Sequence, residues 1–100
     1  MHITIVGAGI GGLSAAIELS QKRHSVTLLE DKDGVAEFGA GIQISPNAIR
    51  VFHRWGMANA VEQVAFAPKN TLARRYDSGN VLGKVEQNPL YQEAYGFPYV

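Results

Sequence analysis

Residues 2–30 constrain this chain more than any other stretch. They open with an apolar run, His2-Ile3-Thr4-Ile5-Val6, and a glycine-rich turn, Gly7-Ala8-Gly9-Ile10-Gly11-Gly12. A helical run follows, and then a second apolar run, Val26-Thr27-Leu28-Leu29, closed by Glu30. Gly7, Gly9 and Gly12 fit G-x-G-x-x-G, and Glu30 stands 18 residues beyond Gly12. Glycine triplets by themselves occur in ordinary loops. Set between two strand-like runs, with an acid ending the second, they mark a dinucleotide-binding βαβ unit.

Each position has a physical task in such a unit. Gly7 ends the first strand in a turn too tight for a Cβ atom, and Gly9 lets the backbone approach a pyrophosphate closely. Gly12 removes the side chain where the helix crosses the strand. The free N–H groups at the helix start, those of Ile10 and Gly11 among them, point at the phosphates, and the helix dipole adds roughly 0.3–1 kcal/mol in an exposed setting. Glu30 ends the second strand beside the adenosine ribose, where a carboxylate accepts hydrogen bonds from the 2′- and 3′-hydroxyls. Its charge repels a 2′-phosphate, so the site favours FAD or NAD over NADP. The alternative is a glycine-rich turn in another βαβ unit that holds no ligand.

One hundred residues amount to one domain at most, and a full dinucleotide fold of two βαβαβ halves needs more strands than the two evident here. A hydrophobic content of 46% with 18% charged residues describes a globular chain rather than a disordered one. Nine Lys+Arg balance nine Asp+Glu, so no basic field is available for nucleic acid or an anionic membrane. The absence of cysteine excludes disulfides, thiolate metal sites and a cysteine nucleophile. Ile3 to Ile17 is largely apolar, but it lacks a basic flank, contains four glycines and is too short to span a bilayer. The default location is the cytosol.

Along the chain, the first run reads as a central parallel strand buried on both faces. A helix is expected from about Gly11 to Lys22, with Ile10, Leu13 and Ile17 forming an apolar stripe and Ala16 and Ser20 beside it. Ser25 to Leu29 is the second strand. Asp31 to Phe38 is a polar loop, Gly39-Ala40-Gly41 follows, and Ile42-Gln43-Ile44 forms a short extended piece. Ser45 and Pro46 open a second helix as N-cap and first helical residue. Ile49, Phe52 and either His53 or Gly56 carry its apolar spacing, and Gly56 ends it. Met57 to Val64 supplies another turn or two, with Ala60, Val61 and Val64 inward. After Pro68, Thr71 to Tyr76 and Val81 to Val85 flank Asp77-Ser78-Gly79-Asn80 as an antiparallel hairpin. The fold class is α/β: a Rossmann-like dinucleotide-binding βαβ unit followed by a helix and an antiparallel hairpin.

Gly39-Ala40-Gly41-Ile42-Gln43-Ile44-Ser45-Pro46-Asn47-Ala48, taken with the first thirty residues, resembles the N-terminal part of FAD-dependent aromatic-ring monooxygenases. These are the single-component flavin hydroxylases, which include salicylate hydroxylase. Arg50 to Met57, the hairpin at Arg75-Tyr76-Asp77 and Tyr95-Gly96-Phe97-Pro98-Tyr99 look like the later landmarks of that family, so the resemblance covers essentially the whole chain. It implies that Gly7, Gly9, Ile10, Gly11, Gly12 and Glu30 bind the ADP half of FAD, with Gly41 and Gln43 as further contacts. It also implies an enzyme that uses NAD(P)H and O2 to hydroxylate a small aromatic acid.

Arg23 departs from the pattern by standing where the family usually has glycine at a helix end. A left-handed non-glycine residue there costs on the order of 1 kcal/mol. The family's later arginine and its Asp-Gly and Gly-Asp motifs are absent from these residues. The chain is therefore expected to be a truncated N-terminal part of the FAD-binding domain. The other readings are an ADP-binding remnant without catalysis and the βαβ unit of an NAD-dependent dehydrogenase. His2, His24 and His53 have no metal-ligand spacing, and no catalytic triad can be assembled. Trp55 reads as a packing residue, and Arg74 and Arg75 as an exposed edge or a salt bridge. The sequence leaves the oligomeric state open.

Overall fold

The computed structural model describes residues 1–34 and 41–100. It divides into two compact units, Met1–Ala40 and Gly41–Val100. The expected loop positions 35–38, and Gly39 and Ala40 of the second glycine motif, lie outside the described residues.

The first unit is a βαβ unit: β1 (His2–Val6), α1 (Ile10–Gln21) and β2 (Ser25–Leu29). β1 and β2 pair in parallel, with His2 opposite Ser25 and Val6 opposite Leu29. Ile3, Ile5, Val26 and Leu28 are half-buried while the residues between them are exposed, and α1 packs against both strands. The expectation of a strand buried on both faces is thus corrected. One face lies under α1, and the other carries His2, Thr4, Ser25 and Thr27, where the His2 ring bonds the Ser25 hydroxyl at 3.1 Å.

Leu13, Ala16, Ile17 and Leu19 form the half-buried side of α1, but Ile10 is 60% exposed and Ser20 is exposed. Side chains lean toward a helix N-terminus, so the first residue projects past the turn beneath it rather than onto the sheet. The helix ends in a Schellman motif, with Arg23 N–H donating to the Ser20 carbonyl at 3.0 Å and His24 N–H to Leu19 at 3.1 Å. Arg23 takes the left-handed position, with φ of 64°.

The second unit contains α2 (Pro46–Arg54), α3 (Ala58–Val64), β3 (Asn70–Arg74), β4 (Val81–Glu86) and α4 (Leu90–Tyr95). Ser45 is the N-cap of α2 and Pro46 its first residue, as the sequence predicts. The Ser45 hydroxyl, however, bonds Asn47 Oδ1 instead of a helix amide. Ile49 is buried at 3% exposure and lines a small recess with Phe52, Val61, Pro98 and Val100. His53 is exposed, its ring 4.9 Å from that of Phe97. Gly56 follows the C-cap with φ of 77°. In α3 only Val61 of the expected inward set is half-buried; Ala60 is exposed and Val64 is 86% exposed. α3 spans only seven residues, so it can turn one narrow stripe inward.

β3 and β4 form the expected antiparallel hairpin, and every residue of both is exposed. Arg75 lies in the turn and pairs with Asp77, while Arg74 Nη1 donates to the Gly79 carbonyl at 3.0 Å. Trp55 is half-buried, its ring 5.6 Å from Phe52 in an edge-on contact. Helix α4 had no sequence signal: six residues with Pro89 before them and Gly96 after are too few to show a helical period.

Candidate functional site

The βαβ unit brings the glycine turn and the acid at the end of β2 together. Gly7 extends the β ladder by donating its N–H to the Leu29 carbonyl at 2.7 Å, and its φ of +97° takes the chain out of the strand. That conformation is open to glycine at no steric cost. Gly12 is needed for a different reason. A Cβ there would lie 1.9 Å from the Gly7 carbonyl oxygen, so the helix start could not sit this close to the end of β1.

A Cβ on Gly9 or Gly11 meets nothing within 4 Å, so the space over the turn is open. Gly9 is the N-cap of α1, and the first intrahelical bond runs from Leu13 N–H to the Gly9 carbonyl at 2.9 Å. The amides of Ile10, Gly11 and Gly12 precede it and have no carbonyl partner among the described residues. The first turn of α1 contains no acid, and the cap has no side-chain bond. Unpaired donors, the positive end of the dipole and open space suit an anion such as a pyrophosphate.

Glu30 lies against this turn. Its Oε2 accepts the Ala8 N–H at 2.7 Å, and its Oε1 accepts those of Asp31 at 3.0 Å and Lys32 at 3.1 Å. The Ala8 amide, then the Asp31 side chain and the Lys32 amide, hold the Glu30 carboxyl below its ordinary pKa. The Asp31 carboxyl is pushed up, because its proton is shared with Glu30 and a second charge beside Glu30 is unfavourable. Backbone amides thus take acceptor positions on both oxygens of the Glu30 carboxylate.

The sequence reading did not identify Ala8, whose amide makes the tie to Glu30 and which is itself buried at 8% exposure. Asp31 and Lys32 are exposed loop residues, as the sequence predicts, and their backbone amides also orient the carboxylate. No residue type marks a backbone donor; only a fold that places it shows one. Gly41 and Gln43 belong to the second unit, and both are exposed. Gln43 Oε1 accepts the Tyr99 hydroxyl at 2.6 Å. Among the described residues, no helix is long and apolar enough to cross a membrane.

A family model described as FAD dependent oxidoreductase matches residues 2–86. The chain is 36% identical to the FAD-dependent monooxygenase OpS4 of Beauveria bassiana, over 99% of this chain and 23% of that protein. It is 38% identical to the 3-amino-4-hydroxybenzoate 2-monooxygenase PtmB3 of Streptomyces platensis, over 98% of this chain and 25% of that protein. Among solved structures it resembles Klebsiella pneumoniae HpxO complexed with FAD and uric acid, with a TM-score of 0.73 and 31% identity. That likeness covers 99% of this chain and 24% of HpxO. The chain spans about a quarter of the length of the relatives it matches. The glycine turn, the bare helix start and the carboxylate beside it fit the adenosine and pyrophosphate groups of FAD, and the chain belongs to the FAD dependent oxidoreductase family.

Proposed function

We propose that this chain is the N-terminal, FAD-binding portion of a cytoplasmic flavin monooxygenase that hydroxylates a small aromatic acid with NAD(P)H and O2. The observation that supports it most is the meeting of Glu30 with the glycine turn, beside three helix-start amides that have no carbonyl partner among the described residues. Ile10, Gly11 and Gly12 would donate to the pyrophosphate, Gly9 would leave room for it, and the Glu30 carboxylate would accept a ribose hydroxyl. Gly41 and Gln43 are proposed as further contacts. The bound flavin supplies the redox chemistry of such an enzyme, and the protein binds and orients it. The monooxygenases among its relatives, one of them a 3-amino-4-hydroxybenzoate 2-monooxygenase, support the reaction class.

Titration of the 100-residue chain with FAD and with ADP tests the binding role. FAD binding tighter than ADP binding is the expected result, and no binding of either below millimolar overturns it. ADP binding with no gain for FAD would favour the remnant reading. A longer form of the protein should purify yellow and oxidise NAD(P)H faster when an aromatic acid is added.

A further inference from the structure

Strands β3 and β4 make a two-stranded sheet of their own, so each keeps one edge without a ladder partner among the described residues. The Gln87 N–H donates to the Lys69 carbonyl at 2.9 Å, and this sets the phase of the ladder. Gln87, Val85 and Gly83 turn their backbone groups toward β3, while Lys84 and Glu86 turn theirs outward onto the free edge of β4. The side chains of Lys84, Val85 and Glu86 are all exposed. The register shift between Ala73 and Arg74 leaves Leu82 without a partner, so the regular part of β4 runs from Gly83 to Glu86.

A lone charge on an edge resists pairing between copies, because the same charge can be brought against itself. The β4 edge carries two charges of opposite sign. Lys84 and Glu86 lie on one face of the strand, with Nζ 3.0 Å from Oε1. A second β4 running antiparallel about Val85 sets Lys84 opposite the partner's Glu86, and Glu86 opposite the partner's Lys84. Both pairs exchange backbone N–H···O bonds through groups that already point outward, and the Val85 side chains meet on the other face as a close apolar pair. Centring the pairing one residue earlier would set lysine against lysine. The charges therefore select a register rather than forbid pairing.

We propose that the free edge of β4 is a self-association surface, on which a second copy of this chain pairs its own β4 antiparallel about Val85. The test is sedimentation of the 100-residue chain as wild type, Lys84→Glu, Glu86→Lys and the variant carrying both, with circular dichroism as the control on folding. The wild type should dimerise reversibly as its concentration rises to about 1 mM, the weak end of the affinity scale. Each single exchange sets like charges across the contact and should stay monomeric over the same range. The double exchange restores opposite charges and should dimerise as the wild type does. An equimolar mixture of the two single variants should form a mixed dimer. Salt reads the same contact without any substitution, since the wild-type dimer should weaken as ionic strength rises.

A wild type that stays monomeric throughout would overturn the proposal, as would a dimer that neither the single exchanges nor salt weakens. Single variants that fail to pair with each other would overturn it too. A longer form of the protein that is monomeric, yet protects the Lys84 and Glu86 amides from hydrogen exchange, would assign the edge to a strand of its own chain and overturn the choice of a second copy.

Discussion

Gly9 and Gly12 stand three residues apart and answer to different constraints. A Cβ on Gly12 meets the Gly7 carbonyl oxygen at 1.9 Å, so Gly12→Ala must move backbone. Overpacking of this kind costs roughly 1–3 kcal/mol, more than the gain of up to about 1 kcal/mol from replacing glycine in a helix. A lowered urea midpoint is the expected result. Gly9 has φ of −70° and ψ of 179°, which any residue adopts, and open space around it. Gly9→Val should therefore cost no more than about 1 kcal/mol of stability, for an N-cap residue replaced by a poor one, while FAD affinity falls sharply. Unchanged FAD affinity in that variant would contradict the pyrophosphate assignment. Glu30 has a pH signature. Its carboxyl is held low in the folded chain, so the tie to Ala8 is fully present above the ordinary glutamate pKa and is lost as pH falls through the lowered value. The Ala8 amide shift should report that midpoint, below that of glutamate in an unstructured peptide. Replacing Glu30 with alanine removes the ligand acceptor and also three backbone ties, so it should loosen the turn as well as FAD binding.

Helix α1 shows how an element can be legible in outline and irregular at its end. Its span was readable because an apolar stripe begins directly after the glycine turn and Arg23-His24 separates it from the next strand. The residue that closes it is the wrong type for its conformation: Arg23 sits at φ of 64° in a Schellman motif that favours glycine. Arg23→Gly should raise stability by about 1 kcal/mol, read as a higher urea midpoint, since the left-handed penalty disappears. A lower midpoint would mean that the arginine side chain contributes something its exposed position does not suggest. The hairpin was equally legible, because Asp77-Ser78-Gly79-Asn80 supplies turn chemistry between two runs of alternating residues. Helix α4 was not. It packs against α2, and Tyr91 stands edge-on to Tyr99 beyond its end, contacts that no pattern within six residues encodes.

At the scale of the whole molecule, the buried hydrophobic residues among those described are Ala8 and Ile49, and no side chain is fully buried. Val6, Val64 and Phe66 are each at least 80% exposed. Hydrophobic burial is the main term opposing chain entropy, so a chain with so little of it has a small margin of stability. The 100-residue chain is expected to unfold cooperatively but at a low urea midpoint. A midpoint as high as that of a well-packed domain of this length would contradict this.

Local chemistry determined the βαβ unit, the hairpin and the identity of the glycines and the acid. Each depends on backbone preferences and periodicities that act within a few residues. Tertiary structure alone decided that Glu30 is tied to the Ala8 amide, that only one face of the parallel pair is covered, and that Gln43 meets Tyr99. Those pairings join residues far apart in sequence, and their free energy comes from distances and directions that exist only once the chain has folded.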